Sequence, residues 1–456
     1  MPPISVGLRR QMFLLALPVL GEQLLTFCID LFDVYLSGQI GKSETAAVGL
    51  AGYITWLASM IFSLVGVGTT AIIAREWGAA RFDDARRVAG RSLAMVPIIG
   101  LLVFSLLQLM ATVFPRLLTM EGNQQQIAVT FLRIDACGEL FRGWTLISAA
   151  CFRGTGDMLT PLKVLVTTNL INMCLSTMLV WGCNWPGTTI PLIAPQGVIG
   201  IVIGTTTAHV SGALLMASLV VSRRSRLHLT LRDFQLHRPT ICRVLRIGGP
   251  AALGGLCTFI GHFSFLMVIA RLSKGFDGAV MAAHVVGVRI ESLSYLPVEA
   301  FGIAAATMVG QSLGAHQIER AKQAGHEAIR QCLWYAGMMS ILFFCFAPQI
   351  YQRMHSDPLV AQIGVPAFRL MSLYQIPNAI LIVYVNALRG AGDTRFPLGC
   401  ALLGNILIRV SVGYFCGVYL QLGLMGAWIG MGADNIVRSI LVSWRYLGGR
   451  WTRTTV

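Results

Sequence analysis

Long apolar runs dominate the chain, separated by short polar connections. Twelve runs lie at about residues 11–37, 45–73, 92–114, 127–152, 161–183, 196–221, 247–272, 279–313, 327–350, 361–388, 396–419 and 423–447. Most exceed the roughly 20 residues that a helix needs to cross the hydrocarbon core of a bilayer. Hydrocarbon offers backbone groups no hydrogen-bond partners, so a spanning segment is a helix or part of a closed barrel. Runs of this length without period-two alternation predict helices. The pattern therefore predicts an all-α polytopic membrane protein with twelve transmembrane helices.

Composition agrees. Only 12% of the 456 residues are charged and 55% are hydrophobic, against roughly 25% charged in soluble domains. A soluble enzyme and a disordered chain are both excluded on that ground. The formal net charge is nevertheless +15, and its distribution explains it. Seven segments (1–10, 75–91, 153–163, 223–246, 316–330, 389–395 and the tail from Arg438) hold 25 Lys and Arg. The alternating connections hold five: Lys42, Arg116, Arg271, Lys274 and Arg353. The positive-inside rule places the first set in the cytoplasm together with both termini. The expected location is the plasma (cell inner) membrane, crossed many times, and the basic excess is an orientation signal rather than a nucleic-acid footprint. Arg9-Arg10 before an apolar run imitates a secretory signal, but Glu22, Asp30 and Asp33 interrupt it, so it reads as an uncleaved first span. The eleven cysteines form no Cys-x-x-Cys pair, and neither a disulfide framework nor a metal site is expected.

The halves repeat. Arg153-Gly154-Thr155-Gly156-Asp157 with Pro161 recurs as Arg389-Gly390-Ala391-Gly392-Asp393 with Pro397. At the same spacing Gly66 matches Gly302, Gly78-Ala79 matches Gly314-Ala315, and Asn169 matches Asn405; Pro18 matches Pro250 nearby. The chain thus divides into a six-helix lobe at 1–222, a cytoplasmic linker at 223–246 and a second six-helix lobe at 247–456. Six spans return each copy to the same side, so the repeats run parallel, an arrangement found in alternating-access carriers.

The two Arg-Gly-x-Gly-Asp segments follow spans 4 and 10. Span 1 carries Pro18, expected to kink its helix, and Asp33, leading into Ser37-Gly38-Gln39-Ile40-Gly41. In this order the motifs resemble the multidrug and toxin extrusion (MATE) family of the multidrug/oligosaccharidyl-lipid/polysaccharide flippase superfamily, over essentially the whole chain. The resemblance implies a V-shaped pair of lobes that exports amphiphilic, often cationic compounds in exchange for protons or sodium ions. It implies a transporter and not an enzyme, with no cofactor beyond the coupling ion.

Ionisable groups within spans are expensive and are functional candidates by default. Glu22, Asp30 and Asp33 fall within an arc of about 80° on span 1, an acidic stripe. Asp135, Glu139 and Arg142 share one face of span 4 and form a possible network with it. Glu22 is expected to pair with a base. Two readings stand for Arg142: a fixed counter-ion, or a switch that pairs only when a proton leaves. The family pattern also singles out Asn172, Ser176 (where the family carries Asp) and Thr205 as cation-coupling positions beside Asp33 and Asp30. For Asp30 and Asn172 an ordinary packing role stands open as well. In the second half the family's acidic positions are His262 and Asn378, which disfavours a sodium site there. Among the second-half acids, Glu299 is the cleft candidate for a cationic substrate. Nineteen Met and 41 aromatic residues suit an adaptable apolar lining.

These residues are read as a proton-coupled antiporter for amphiphilic organic cations, expected to act as a monomer in the bilayer, with Asp33 the principal coupling acid. The alternatives are a lipid-linked precursor flippase of the same superfamily, which the first-half acids oppose, and a channel or scaffold, which the repeat opposes. No Gly-x-x-x-x-Gly-Lys-Ser/Thr segment occurs, so ATP drive is not supported.

Overall fold

A computed structural model describes residues 6–117, 120, 122–184, 191–223 and 225–454. Residues 1–5 and Arg224, assigned above to cytoplasmic segments, and Glu121 and 185–190, assigned to exterior ones, lie outside the described residues.

The described residues are almost wholly helical. In chain order they form α1 (Val6–Ile40), α2 (Lys42–Gly78), α3 (Phe82–Leu117), α4 (Gly122–Gly154), α5 (Leu159–Trp181), α6 (Val198–Val221), α7 (Arg238–Leu272), α8 (Ala279–Gly314) and α9 (Ile318–Met354), then α10 (Pro358–Leu373), α11 (Gln375–Gly390), α12 (Arg395–Ala401), α13 (Arg409–Tyr414) and α14 (Gly423–Leu447). Two short strands, β1 (Cys183–Asn184) and β2 (Pro191–Ile193), pair antiparallel between α5 and α6. Nine helical stretches among the described residues are long and apolar enough to cross a membrane, and α10 with α11 makes a tenth. The charge-bearing α4 and α14 complete twelve. The protein is an all-α polytopic membrane protein.

Two spans depart from a simple rod. The tenth, expected as one run over 361–388, breaks at Tyr374, where α10 and α11 meet at 53°. Pro377 supplies the reason: it has no N–H to offer the Leu373 carbonyl four residues back, and its ring crowds that carbonyl. The eleventh, Arg395–Tyr419, stays continuous but changes hydrogen-bond register. Leu402–Ile408 and Phe415–Tyr419 are π-helical on either side of α13, the kind of local bulge that clusters at functional positions.

By contacts the chain forms two units, Gly21–Gly248 and Met1–Leu20 with Gly249–Val456. Residues 223–248 therefore belong with the first-half helices, and residues up to Leu20 with the second half, whereas the sequence division ran at 222, 246 and 247. Within the second-half unit, Leu8, Met12 and Ala16 of α1 share a core with Val298, Met308, Leu388 and Tyr446. Within the first-half unit, a Cβ placed on Gly68 of α2 would lie 3.0 Å from the Val244 carbonyl carbon of α7.

The repeat is visible as repeated contacts inside each unit. Gly156 and Gly392 adopt φ of 82° and 86°, the left-handed conformation that glycine tolerates at a helix end. Asn169 donates to the Leu25 carbonyl at 3.1 Å, and its counterpart Asn405 donates to Thr258 Oγ1 at 3.1 Å. The aspartates have diverged. Asp157 caps α5 through Thr160 N at 3.1 Å and Thr160 Oγ1 at 2.7 Å, while Asp393 accepts from Arg445 at 2.8 Å.

Close approach of α5 and α6 sets the position of the polar residues described next. A Cβ on Gly204 would sit 2.8 Å from the backbone nitrogen of Ser176, closer than packing allows. We expect Gly204→Ala to destabilise the protein by about 1–3 kcal/mol, the usual effect of overfilling a packed site. A thermal unfolding curve in detergent that matches the unaltered protein would show this contact to be soft.

Candidate functional site

Three helices of the 21–248 unit bring the first group together. Asp33, in the C-terminal half of α1, is half-buried. Thr205 of α6 engages its carboxylate, and Asp30 and Asp135 are near enough to act on its charge. Oδ1 of Asp33 is shut off from the surface with no hydrogen-bond partner among the described residues. Behind Thr205 runs a chain of side chains. Asn172 Nδ2 donates to Thr205 Oγ1 at 3.0 Å, and Ser176 Oγ donates to Asn172 Oδ1 at 3.3 Å. Thr205 in turn donates to the Ile201 carbonyl at 3.0 Å. Asn172 and Ser176 are buried at 4% and 0% exposure. The positions Asp33, Asn172, Ser176 and Thr205 thus meet in one place. Asp30 lies on the exposed side of α1.

The second group sits on α4. Asp135 is buried and accepts from Thr55 Oγ1 of α2 at 3.3 Å. Glu139, with no exposed surface, takes Arg142 Nη1 at 2.9 Å, and the same Nη1 reaches the Thr55 carbonyl at 3.4 Å. The base that meets Glu22 is Arg153, the arginine of the first Arg-Gly-x-Gly-Asp segment, rather than Arg142. The two arginines fall on the same face of α4, about three turns apart. The first Arg-Gly-x-Gly-Asp segment therefore holds a partly buried ion pair. Arg133, two residues before Asp135, is exposed on another face.

The other unit has a different centre. Asp434 of α14, with no exposed surface, binds Arg409 at 2.7 Å and also pairs with Arg438. Arg438, counted above as the start of the tail, is a largely buried residue of α14. Arg409 is close enough to act on His262, His284 and Glu291, so these groups share one neighbourhood. Trp428 Nε1 donates to His284 Nδ1 at 3.2 Å. Gln375, one residue past the break in the tenth span, engages the buried Glu291 carboxylate. Asn378 is half-buried one turn further along α11. Glu299 stands apart: it accepts from Asn386 Nδ2 at 3.1 Å and has Arg389, the arginine of the second Arg-Gly-x-Gly-Asp segment, as its cationic neighbour.

Two stretches of the chain, residues 18–178 and 250–415, match one and the same family description, MatE. The chain belongs to the MatE family. Its double match follows the internal repeat. The probable multidrug resistance protein NorM of Thermotoga maritima is 27% identical over 98% of this chain and 94% of its own length. An uncharacterised transporter of Bacillus subtilis, YisQ, is 23% identical over 96% and 94%. Among solved structures, a MATE protein in the bent conformation aligns with a TM-score of 0.87 at 23% identity, over 98% of this chain and 97% of that one. An outward-facing multidrug resistance MATE family transporter of the MOP superfamily aligns at 0.88 and 22%, over 99% and 100%. The fold of this MatE member is the MATE fold.

Sequence reasoning missed Thr55, His209 and His284. His209 lies one turn beyond Thr205 on the same face of α6, and that spacing was the available signal. His284 and Thr55 carry no signal of their own, because each gains its place only from a partner helix. For the Asp434 centre, we expect Asp434→Asn to cost about 3–5 kcal/mol of stability, since it removes the ion-pair partner of two largely buried guanidiniums. Denaturation of the purified variant checks this, and a loss below about 1 kcal/mol would mean that the guanidiniums reach water or lipid headgroups when Asp434 is gone.

Proposed function

We propose that this protein is a secondary antiporter that exports amphiphilic organic cations across the cell's inner membrane in exchange for protons, with Asp33 the coupling acid. The observation that carries the reading is the setting of Asp33. Its Oδ1 is enclosed without a hydrogen-bond partner among the described residues, beside a hydroxyl–amide–hydroxyl chain from α6 and α5. A carboxylate so placed is stable when it holds a proton, and it becomes a strong ligand for positive charge once the proton leaves. A proton taken from outside neutralises Asp33 and removes its hold on a cationic substrate; release of the proton inside restores it. The protein works as a coupled machine only if the two protonation states favour different conformations.

The same geometry favours protons over sodium. The oxygens that a sodium ion would borrow are already engaged: Asn172 Oδ1 accepts from Ser176, and Thr205 Oγ1 accepts from Asn172. Ser176 supplies no carboxylate, and neither His262 nor Asn378 does so in the other unit. Hard cations favour oxygen ligands, carboxylates prominent among them. The multidrug names of the relatives, together with the Met- and aromatic-rich composition, support a broad range of apolar cations as substrates.

The deciding experiment uses vesicles containing the purified protein and a fluorescent organic cation. An imposed proton gradient is expected to drive efflux and a sodium gradient alone to drive none. Asp33→Asn is expected to reduce proton-driven efflux to the level of protein-free vesicles. Efflux driven only by sodium, or undiminished in Asp33→Asn, overturns the proposal. For sidedness, a fluorescent protein fused after Val456 is expected to fluoresce and alkaline phosphatase at the same place to be inactive. The reverse pair of results would invert the proposed orientation.

A further inference from the structure

The carboxylate next to Asp33 is the feature that the coupling scheme leaves unused. Asp135 enters the site from α4, on a face that the chain itself fills with a second acid, Glu139. Among the described residues of this unit's interior, Asp135 and Glu139 share one guanidinium, Arg142, which also acts on Asp30, while the charges nearest Asp33 are those of Asp30 and Asp135. The only direct ion pair in the set joins Arg142 to Glu139 at 2.9 Å. It occupies Oε1 and leaves Oε2 of Glu139, a residue with no exposed surface, enclosed without a hydrogen-bond partner. Asp135 receives one neutral hydroxyl, from Thr55.

The neighbours from every surrounding helix are identifiable. α1 contributes Asp33 and, at the exposed margin, Asp30. α2 contributes Thr55. α5 contributes Asn172 and Ser176, which reach the site through Thr205. α6 contributes Thr205 and His209, whose Nδ1 is likewise enclosed without a partner. Arg142 acts on His209 from nearby, so a positive charge on the imidazole is opposed. Two buried acids beside one fixed cation, with Asp33 and its enclosed Oδ1 next to Asp135, leave an excess of two negative charges. Burying uncompensated charge is costly, and two protons bring the set to neutrality.

We infer that this unit holds two exchangeable protons, one on Asp33 and one shared between Asp135 and Glu139 on α4. The inference rests on the proton-antiport reading above and sets the number of protons the unit carries. Each loading step forms one O–H bond on a carboxylate oxygen with a proton from water. Each unloading step breaks that bond and returns the proton to water on the other side, with no change in oxidation state. Arg142 holds Glu139 by one oxygen and so keeps the other available.

Infrared pH-difference spectroscopy of the purified full-length protein counts these protons without a substrate. Between about pH 5.5 and 9, above the range in which exposed carboxylates titrate, carboxylic C=O bands that shift in heavy water are expected to disappear, two of them from this unit and identified by the variants below, which leave any band of the buried Glu291 of the other unit in place. Asp33→Asn is expected to remove one band and keep the other. Asp135→Asn or Glu139→Gln, whichever folds better, is expected to remove the one that Asp33→Asn keeps. A single band that vanishes in Asp33→Asn overturns the second proton and leaves the coupling role of Asp33 intact. Bands that are all unaffected by Asp33→Asn overturn the coupling assignment as well.

Discussion

A carboxyl group enclosed among apolar helices must hold a proton, meet a cation or gather hydrogen-bond donors, because nothing else nearby lowers the energy of its charge. That constraint organises both halves of this protein. It explains why Glu22 is matched by Arg153, Glu139 by Arg142, and Asp434 by two arginines. Asp33 is the exception that gives the rule its use. Among the described residues it has polar neighbours but no ion-pair partner, so in the proposed mechanism its charge state is left to the protons and substrates that arrive.

The two units answer the same constraint differently. In the 21–248 unit, acids outnumber bases around the α1–α4 contact. In the other, Arg409 and Arg438 bracket Asp434, and the repeat-related positions offer His262 and Asn378 in place of acids. A duplicated fold has thus kept its turns, glycine contacts and asparagine ties while redistributing its charges. The first half carries the excess of acids, and the second is braced by an arginine–aspartate centre.

Much of this was legible in the chain. Apolar run length placed twelve spans because hydrocarbon thickness and helix rise leave little freedom. The Arg-Gly-x-Gly-Asp repeat was legible because its second glycine must take a left-handed turn. The meeting of Asp33 with Asn172, Ser176 and Thr205 was expected from the family resemblance rather than from spacing. What escaped depends on partners that spacing along one helix cannot supply. Arg153 was counted only within the repeat motif and the cytoplasmic bases, though it reaches across to Glu22. Thr55 has an ordinary place in α2 and matters only because α4 packs there. The break at Tyr374 was hidden inside an unbroken apolar run, although Pro377 marked it. The sequence division at 222 and 246 followed repeat boundaries, whereas contacts followed the packing of α1 and α7.

That last difference has a consequence for how the protein is made. Residues 6–20 of α1 find their core partners in α8, α9 and α11, which a ribosome produces much later. The first-half unit, conversely, is completed only when residues 238–248 emerge. Neither half closes on its own during synthesis, so the nascent chain must leave its first helix partly unpartnered in the bilayer until the second half arrives. A chain cut at the repeat boundary would therefore yield two pieces that each lack an arm, and the duplication that built the protein no longer yields two independent folding units.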